Sequence, residues 1–257
     1  MKPRLLHLFL TAVLLLAATA ARGQGKIYTR KVRLEDFPTR TTKVVITGNS
    51  FLELALREEI AVHWRISPFE FCDAGEYDRL RSSNNYYFLN LAREQGIAYL
   101  ILSKGGLDGE KESLKKPFEV VRMPIACFDE PSGRELVFMG AFLDIIQSFV
   151  EEAMISDKVA YGGLSSANGT RLSGKKIYLD PDAGDEAYLG READALLGVT
   201  IAPSQIGFDS ICYKMLISAD THELYFYSKG KYRGPRDGRF SESEIRSFTR
   251  RGGEIVE

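Results

Sequence analysis

Two stretches of the chain resemble each other without a gap: "YFLNLAREQGIAYLILSKG" at 87–105 and "CYKMLISADTHELYFYSKG" at 212–230. Each consists of two aliphatic and aromatic runs joined by a short polar segment, a pattern typical of a β-hairpin. Both end in Ser-Lys-Gly. We interpret this tripeptide as the closing turn of a repeated unit rather than a reactive loop, with Lys104 and Lys229 at solvent-facing edges. The pair therefore predicts an internal duplication.

The segments before the two hairpins follow the same order. A strand at 43–47 corresponds to one at 176–180, and a helix from Phe51 corresponds to a predicted helix at 185–198. A strand with a proline follows each helix, and the second copy lacks the polar segment "DAGEYDRLRS" of the first. Each unit therefore reads as a βαβ(α)ββ module.

The order of elements predicts the architecture. A βαβ crossover places two strands parallel, and a hairpin then adds antiparallel strands, so each module should contain a mixed sheet. The predicted fold class is α/β to α+β, with two similar βαβ(α)ββ modules whose mixed sheets are joined by one long amphipathic helix.

The clearest helical pattern lies between the modules, at 133–155. Ser132 and Glu135 have the spacing of a capping box at its start. Apolar residues then recur at steps of three and four, and four phenylalanine and isoleucine residues widen this stripe beyond a narrow seam. Such a helix is normally covered on more than one side, which predicts a central core helix. A homodimer through the helix at 133–155 is the alternative.

The chain begins with a basic start, an apolar run and small-x-small cleavage patterns, which are typical of a secretory signal peptide. We therefore expect export to the periplasm or the extracellular space. No other stretch is apolar enough to span a membrane. The predicted organisation is: 1–23 signal peptide, 24–42 N-terminal lead-in, 43–128 first module, 129–157 connecting helix, 158–175 Gly/Ser-rich linker, 176–233 second module, 234–257 basic tail with a short helix.

The net charge and the cysteine content reduce the number of functional classes that fit this chain. The net charge is −1, and loss of the basic signal peptide makes the mature chain more acidic, so general polyanion binding is not expected. Export argues against nucleic acid as a partner of the basic run from Lys229 to Arg251. Three cysteines, Cys72, Cys127 and Cys212, allow at most one internal disulfide and are expected to be buried thiols.

The sequence contains few signs of catalytic chemistry. His63 and His222 lie far apart and without partners at metal-ligand spacing, so no metal site is predicted. His63 is expected to be packed and His222 to be solvated in a turn. The nucleophile elbow and the phosphate-binding glycine motifs are absent, and a Cys72–His63 pair is a weak alternative. No cofactor is predicted.

These patterns favour an exported, non-catalytic α/β protein that binds or scaffolds something in the cell envelope or extracellular space. The expected partner is an envelope protein or an anionic surface component. The alternative is a hydrolase with a site between the two modules, for which polar residues from both halves must converge. The predicted binding residues lie on strand ends and in the basic tail: Tyr99, Tyr225, Tyr227, Lys231, Arg233 and Arg236.

Overall fold

The structure is a computed structural model that describes residues 34–48, 50–106, 116–167 and 172–256. It contains two five-stranded sheets, one from each half of the chain. The predicted signal peptide at 1–23 and the lead-in up to residue 33 lie outside the described residues. The rest of the lead-in includes a short 3-10 helix, Phe37–Thr39, whose Phe37 is buried in the core.

The first half of the chain forms one mixed sheet. Its elements in chain order are β1 (Thr41–Val45), α1 (Phe51–His63), β2 (Phe69–Cys72), α2 (Ala74–Leu80), β3 (Tyr86–Glu94), β4 (Ile97–Lys104) and β5 (Phe118–Cys127). The strand order is β2-β1-β3-β4-β5, with β1 parallel to both neighbours and the rest antiparallel. Pro124 lies on the edge strand β5 beside a register shift, as its missing N–H predicts.

The connection and the second half follow the same plan. Their elements are α3 (Arg134–Val137), α4 (Met139–Ile155), α5 (Asp157–Gly162), a 3-10 helix (Gly163–Ala167), β6 (Lys176–Tyr178), α6 (Pro181–Leu189), β7 (Ala195–Ile201), β8 (Ile211–Ser218), β9 (Leu224–Lys231), α7 (Glu242–Arg250) and β10 (Glu254–Val256). The second sheet has the order β10-β6-β7-β8-β9 and is also mixed. The predicted fold class is thus confirmed.

The strand order corrects the predicted equivalence of the two hairpins. β7 lies parallel to β6 as β3 lies parallel to β1, so β8–β9 corresponds in space to β4–β5 and not to β3–β4. Ser-Lys-Gly therefore ends an interior strand in one sheet and the edge strand in the other. Lys104 is buried and its ammonium donates to Asp36 at 2.7 Å, whereas Lys229 is exposed. The alternation of apolar and polar residues identifies the two strands of a hairpin. It does not show which other strand of the sheet the hairpin pairs with.

The far edge of each sheet is built from a different part of the chain. In the second sheet β10, which follows α7, pairs with β6 at the position that β2 has in the first. The described part of the predicted basic tail thus folds onto the second module. Its helix α7 begins with a capping box, in which the Glu244 N–H donates to Ser241 Oγ and the Ser241 N–H donates to Glu244 Oε2.

The helix predicted at 185–198 is wrong in its second half. α6 ends at Leu189, and Arg191 has a left-handed φ of 48° that turns the chain away. Residues 195–201 then form β7, which is buried on both faces apart from Thr200. A doubly buried strand has a continuous apolar run, so its sequence does not show the alternation that distinguishes strands from helices.

The predicted connecting helix forms in two parts, α3 and α4. Gly133, with a φ of 85°, precedes α3, and Ser132 Oγ accepts a hydrogen bond from the Arg134 N–H at 3.3 Å. The Glu135 side chain, which the predicted capping box also requires, lies outside the described part of the chain. Eleven residues of α4 are buried by this chain alone, which confirms a central core helix. The apolar stripe of α4 is covered within this chain, and the alternative of a homodimer through 133–155 stays a prediction.

One continuous core joins the two modules. It contains inner-face residues of both sheets together with α1 and α4, and the Tyr99 and Tyr213 hydroxyls approach within 3.3 Å across it. The outer face of the first sheet packs against α2, and that of the second sheet packs against α7 through Phe248. Within the described residues, no helix has both the length and the apolar character needed to cross a bilayer.

Candidate binding site between the two modules

Three polar side chains from distant segments converge beside the shared core. His63 is the last residue of α1, Asp144 lies on α4, and His222 lies in the turn between β8 and β9. Asp144 Oδ2 lies 2.8 Å from His63 Nδ1 and 2.7 Å from His222 Nδ1. A potential metal-ligand atom of each residue lies within 4.8 Å of those of the other two. We call these residues the His–Asp–His cluster.

Two residues of α4 hold the His63 end of the cluster in place. Gly140 lies one turn before Asp144, and a Cβ there would approach His63 Nε2 to 2.4 Å, so glycine makes room for the ring. Gln147 Oε1 accepts hydrogen bonds from the backbone N–H groups of Arg65 (2.6 Å) and Ile66 (3.2 Å). Its Nε2 donates to the His63 carbonyl at 2.9 Å and to Asp144 Oδ1 at 3.1 Å. α1 thus ends at a defined position on α4.

The second module positions His222 through its backbone and through α6. His222 has a φ of 58°, so the turn between β8 and β9 passes through the left-handed region. Its ring stacks on Tyr188, with ring centroids 5.7 Å apart and planes inclined by 24°. The Tyr188 hydroxyl lies 3.3 Å from His222 Nε2. Because α6 supplies this contact, the cluster connects both modules and the central helix.

The cluster is partly buried and strongly polar. The exposed fractions of its side chains are 20 % for His63, 16 % for Asp144 and 14 % for His222. Burial acts to raise the pKa of Asp144, but hydrogen bonds and charge interactions with the two histidines lower it below its ordinary value. Asp144 is therefore an ionised carboxylate at neutral pH. Glu59 Oε2 lies 3.3 Å from His63 Nε2, which adds a second carboxylate to the surroundings.

A small cavity opens beside Asp144. Its volume is about 240 Å³, enough for a few water molecules or a small ligand. Arg65, Asp144 and Glu151 place both charge signs in its wall. The lining is completed by Ile66, Gln147, Ser148 and Thr221.

The described residues do not pair either histidine with a nucleophile. The four ring nitrogens face Asp144, Glu59 and Tyr188, and no serine, threonine or cysteine side chain is hydrogen-bonded to them. The alternative Cys72–His63 pair does not form, because Cys72 packs on the outer face of the first sheet with Val45. Burial raises the pKa of the Cys72 thiol to about 11, so it is protonated at neutral pH.

The residues predicted to bind lie elsewhere and in different environments. Tyr99 and Tyr227 are only 2 % and 5 % exposed, so they belong to the core and do not form the predicted binding surface. Tyr225 is half-buried on β9. The cations Lys231, Arg233 and Arg236 are exposed, and their role in binding stays a prediction.

Sequence reasoning considered both histidines but missed their convergence. His63 and Asp144 are 81 positions apart, and Asp144 and His222 are 78 apart, so no local spacing reveals the cluster. The expectation that His222 is solvated is wrong, because α4 and α6 cover it. The one usable signal is that the chain has only three histidines and that the two outside the predicted signal peptide lie in different modules.

No protein-family model, curated protein or solved structure matches this chain, so its functional interpretation depends on geometry.

Proposed function

We propose that the protein is an exported, non-catalytic binding protein whose ligand site is the His–Asp–His cluster between the two modules. The observation that carries this proposal is the approach of His63 and His222, one from each module, to a single oxygen of Asp144. The burial of polar groups costs free energy. A hydrophobic core does not need a polar cluster that is assembled from three segments of the chain.

Binding is favoured over covalent catalysis by the partners of the imidazoles. A general base needs a ring nitrogen within hydrogen-bonding reach of the proton that it removes, and covalent catalysis also needs an activated nucleophile. In the described residues both nitrogens of each ring already face a protein group. The arrangement is therefore better suited to holding a ligand than to moving protons.

A hydrolase with a site between the modules is the second candidate. The observation that favours it is the contact between Asp144 and His222 Nδ1, since a carboxylate in this position orients the imidazole of many hydrolases. The cavity beside Asp144 would then hold the substrate.

The cellular context and a second contact surface belong to the same proposal. The N-terminal sequence pattern supports export, to the periplasm or the extracellular space. A groove of about 680 Å³ on the second module includes Lys229, Lys231, Arg236 and Arg239 in its wall. The wall also contains Lys214 and three acids, Asp237, Glu242 and Glu244, so its cations exceed its acids by two. This excess of positive charge supports an acidic envelope protein or an anionic surface component as the partner.

Thermal unfolding with three probes tests the ligand site. The midpoint is measured for the purified protein alone and with zinc ion, inorganic phosphate or acetate, which represent a cation, an oxyanion and a carboxylate. We expect at least one probe to stabilise the wild type, by about 2.7 kcal/mol at a hundredfold excess over its dissociation constant. Asp144→Asn should abolish this stabilisation, and Asp220→Asn, at an exposed acid in the His222 turn, should retain it.

Turnover assays test the non-catalytic part of the proposal. A chromogenic ester, a phosphomonoester and a casein substrate should show no hydrolysis above buffer. Hydrolysis that is present in the wild type and in Asp220→Asn but lost in Asp144→Asn would establish the hydrolase instead. If none of the three probes stabilises the protein and no substrate is turned over, the cluster is not a ligand site and the proposal is wrong.

A further inference from the structure

We infer that the His–Asp–His cluster binds a divalent transition-metal ion through Nδ1 of His63, Nδ1 of His222 and Oδ2 of Asp144. The inference rests on the proposed function, since it names the ligand class for the same site. Two imidazole nitrogens and one carboxylate oxygen form a set found at zinc and non-haem iron centres. Three protein ligands leave at least one coordination position for water, and the exposed fractions of the side chains allow an ion to enter.

The distances are close to those around a metal ion. Ligand atoms at about 2.0–2.2 Å from a tetrahedral ion lie roughly 3.3–3.5 Å from each other. The two Nδ1 atoms lie 2.8 and 2.7 Å from Asp144 Oδ2, so an ion is accommodated when these contacts lengthen by about 0.5–0.8 Å.

The hydrogen bonds available to the His63 ring support a cation in the His–Asp–His cluster. A neutral imidazole carries one N–H, yet His63 faces carboxylate oxygens from both nitrogens, Asp144 on one side and Glu59 on the other. One nitrogen lone pair of a neutral ring would then point at a carboxylate, so the ring needs a cation on one of its nitrogens, either a second proton or a metal ion. With a metal ion on Nδ1, the same ring uses its Nε2–H to donate to Glu59, and both nitrogens have favourable partners.

Each of the three proposed metal ligands also has a protein group beside the nitrogen or oxygen atom that does not face the ion. His63 Nε2 faces Glu59 Oε2 at 3.3 Å, and His222 Nε2 faces the Tyr188 hydroxyl at 3.3 Å. Asp144 Oδ1 accepts from Gln147 Nε2 at 3.1 Å, which leaves Oδ2 for the ion. Metal-binding histidines commonly donate their second N–H to a carboxylate or another oxygen in this way, which fixes the ring orientation.

The local charge also favours a cation. Glu59, Asp144 and Glu151 surround the cluster and its cavity, and Arg65 is the one cation among the residues named there. The nitrogen ligands make magnesium and calcium poor candidates, since these ions prefer all-oxygen surroundings. Zinc is therefore the probe of choice, and Mg²⁺ is its matched control.

Calorimetric titration of the chelator-treated protein with ZnCl₂ tests the inference. We expect one equivalent of zinc to bind, and MgCl₂ at the same concentration to give no binding heat. Asp144→Asn should weaken zinc binding by more than about 100-fold, because it replaces a ligand. Tyr188→Phe, which keeps the stacked ring but removes the hydroxyl, should weaken it by about tenfold. Asp220→Asn should bind as the wild type does.

Long-range ¹H–¹⁵N NMR of the imidazole rings gives a readout that does not depend on a variant that may misfold. Zinc should shift the Nδ1 resonances of His63 and His222, while both Nε2 atoms keep their protons. His7 is the one other histidine of the chain and should be unaffected where it is retained. The inference is overturned if zinc does not bind, if it binds Asp144→Asn equally well, or if it leaves both Nδ1 signals unchanged.

The outcomes separate this inference from the proposed function. If zinc does not bind but phosphate or acetate stabilises the protein in an Asp144-dependent way, the metal inference fails and the binding function stands. If zinc binds with the expected dependence on Asp144 and the zinc-loaded protein hydrolyses a substrate, the metal site stands and the non-catalytic function fails.

Discussion

At the residue scale, Glu53 is a buried carboxylate that holds the turn between β1 and α1. It accepts hydrogen bonds from the N–H of Thr47 (2.7 Å), the N–H of Gly48 (3.1 Å) and the N–H of Ser50 (3.3 Å), and forms a capping box with Ser50. Burial acts to raise its pKa, but the hydrogen bonds from Thr47, Ser50 and Gly48 lower it below the ordinary value of a glutamate. A carboxylate with a lowered folded pKa stabilises the fold above its unfolded pKa.

We therefore predict a pH-dependent loss of stability for Glu53→Gln. At pH 7 the free energy of unfolding should fall by about 1–2 kcal/mol, because an amide group cannot accept all of these bonds. The difference from the wild type should shrink as the pH falls below the ordinary pKa of a glutamate, and it should be lost as the pH passes through the lowered pKa at which the folded wild-type carboxylate becomes protonated. Urea unfolding followed by Trp64 fluorescence measures both values. The exposed Glu58→Gln is the control, and a Glu53→Gln deficit that does not change with pH would contradict the interpretation.

At the scale of elements, α7 and β10 decide how the second sheet is completed. Phe248 of α7 is fully buried and packs edge-on against Phe226 of β9, with ring centroids 5.1 Å apart. It also contacts Phe240, which follows the basic segment after β9. A segment that sequence patterns describe as a basic tail thus supplies a core residue and an edge strand.

Phe248→Ala should consequently destabilise the whole protein. Loss of a fully buried aromatic side chain costs about 3–5 kcal/mol of unfolding free energy, through lost burial and the cavity left behind. Phe208→Ala is a matched control, since Phe208 is fully exposed in the loop between β7 and β8. Thermal unfolding by circular dichroism distinguishes the two. Equal midpoints for both variants would show that α7 does not contribute to the fold.

At the scale of the whole molecule, the shared core should make the two modules unfold together. Trp64, the single tryptophan, lies in the first module, and Met215 lies in the second, yet both belong to the same buried cluster. The Tyr99–Tyr213 contact and the His–Asp–His cluster connect the modules further. Because one contiguous core contains residues of both modules, we expect the two modules to unfold as one cooperative unit.

Met215→Ala should therefore shift the unfolding transition reported by Trp64 in the other module. The expected loss is about 2–5 kcal/mol, and fluorescence and circular dichroism should give the same midpoint. Leu189→Ala, which removes an exposed side chain from the second module, should leave the transition unchanged. If the Trp64 transition stays in place while circular dichroism shows a second, earlier one, the modules unfold independently.

Much of the fold was predictable because its patterns are local. The helix that starts at Phe51, the short helix in the tail and the hairpin strands follow from spacing within a few residues of each other. β7 was misjudged because a strand buried on both faces has no alternation. The position of β10 was missed because nothing in a three-residue strand specifies its distant partner.

The sequence alone was sufficient for the number of modules, the mixed sheets and the buried connecting helix, since hydrophobic periodicity and turn residues act over short distances. Strand order, the closure of the second sheet by β10 and the meeting of His63, Asp144 and His222 depended on tertiary packing. The physical reason is that burial brings together segments about eighty positions apart, and their spacing in the chain carries no trace of that contact.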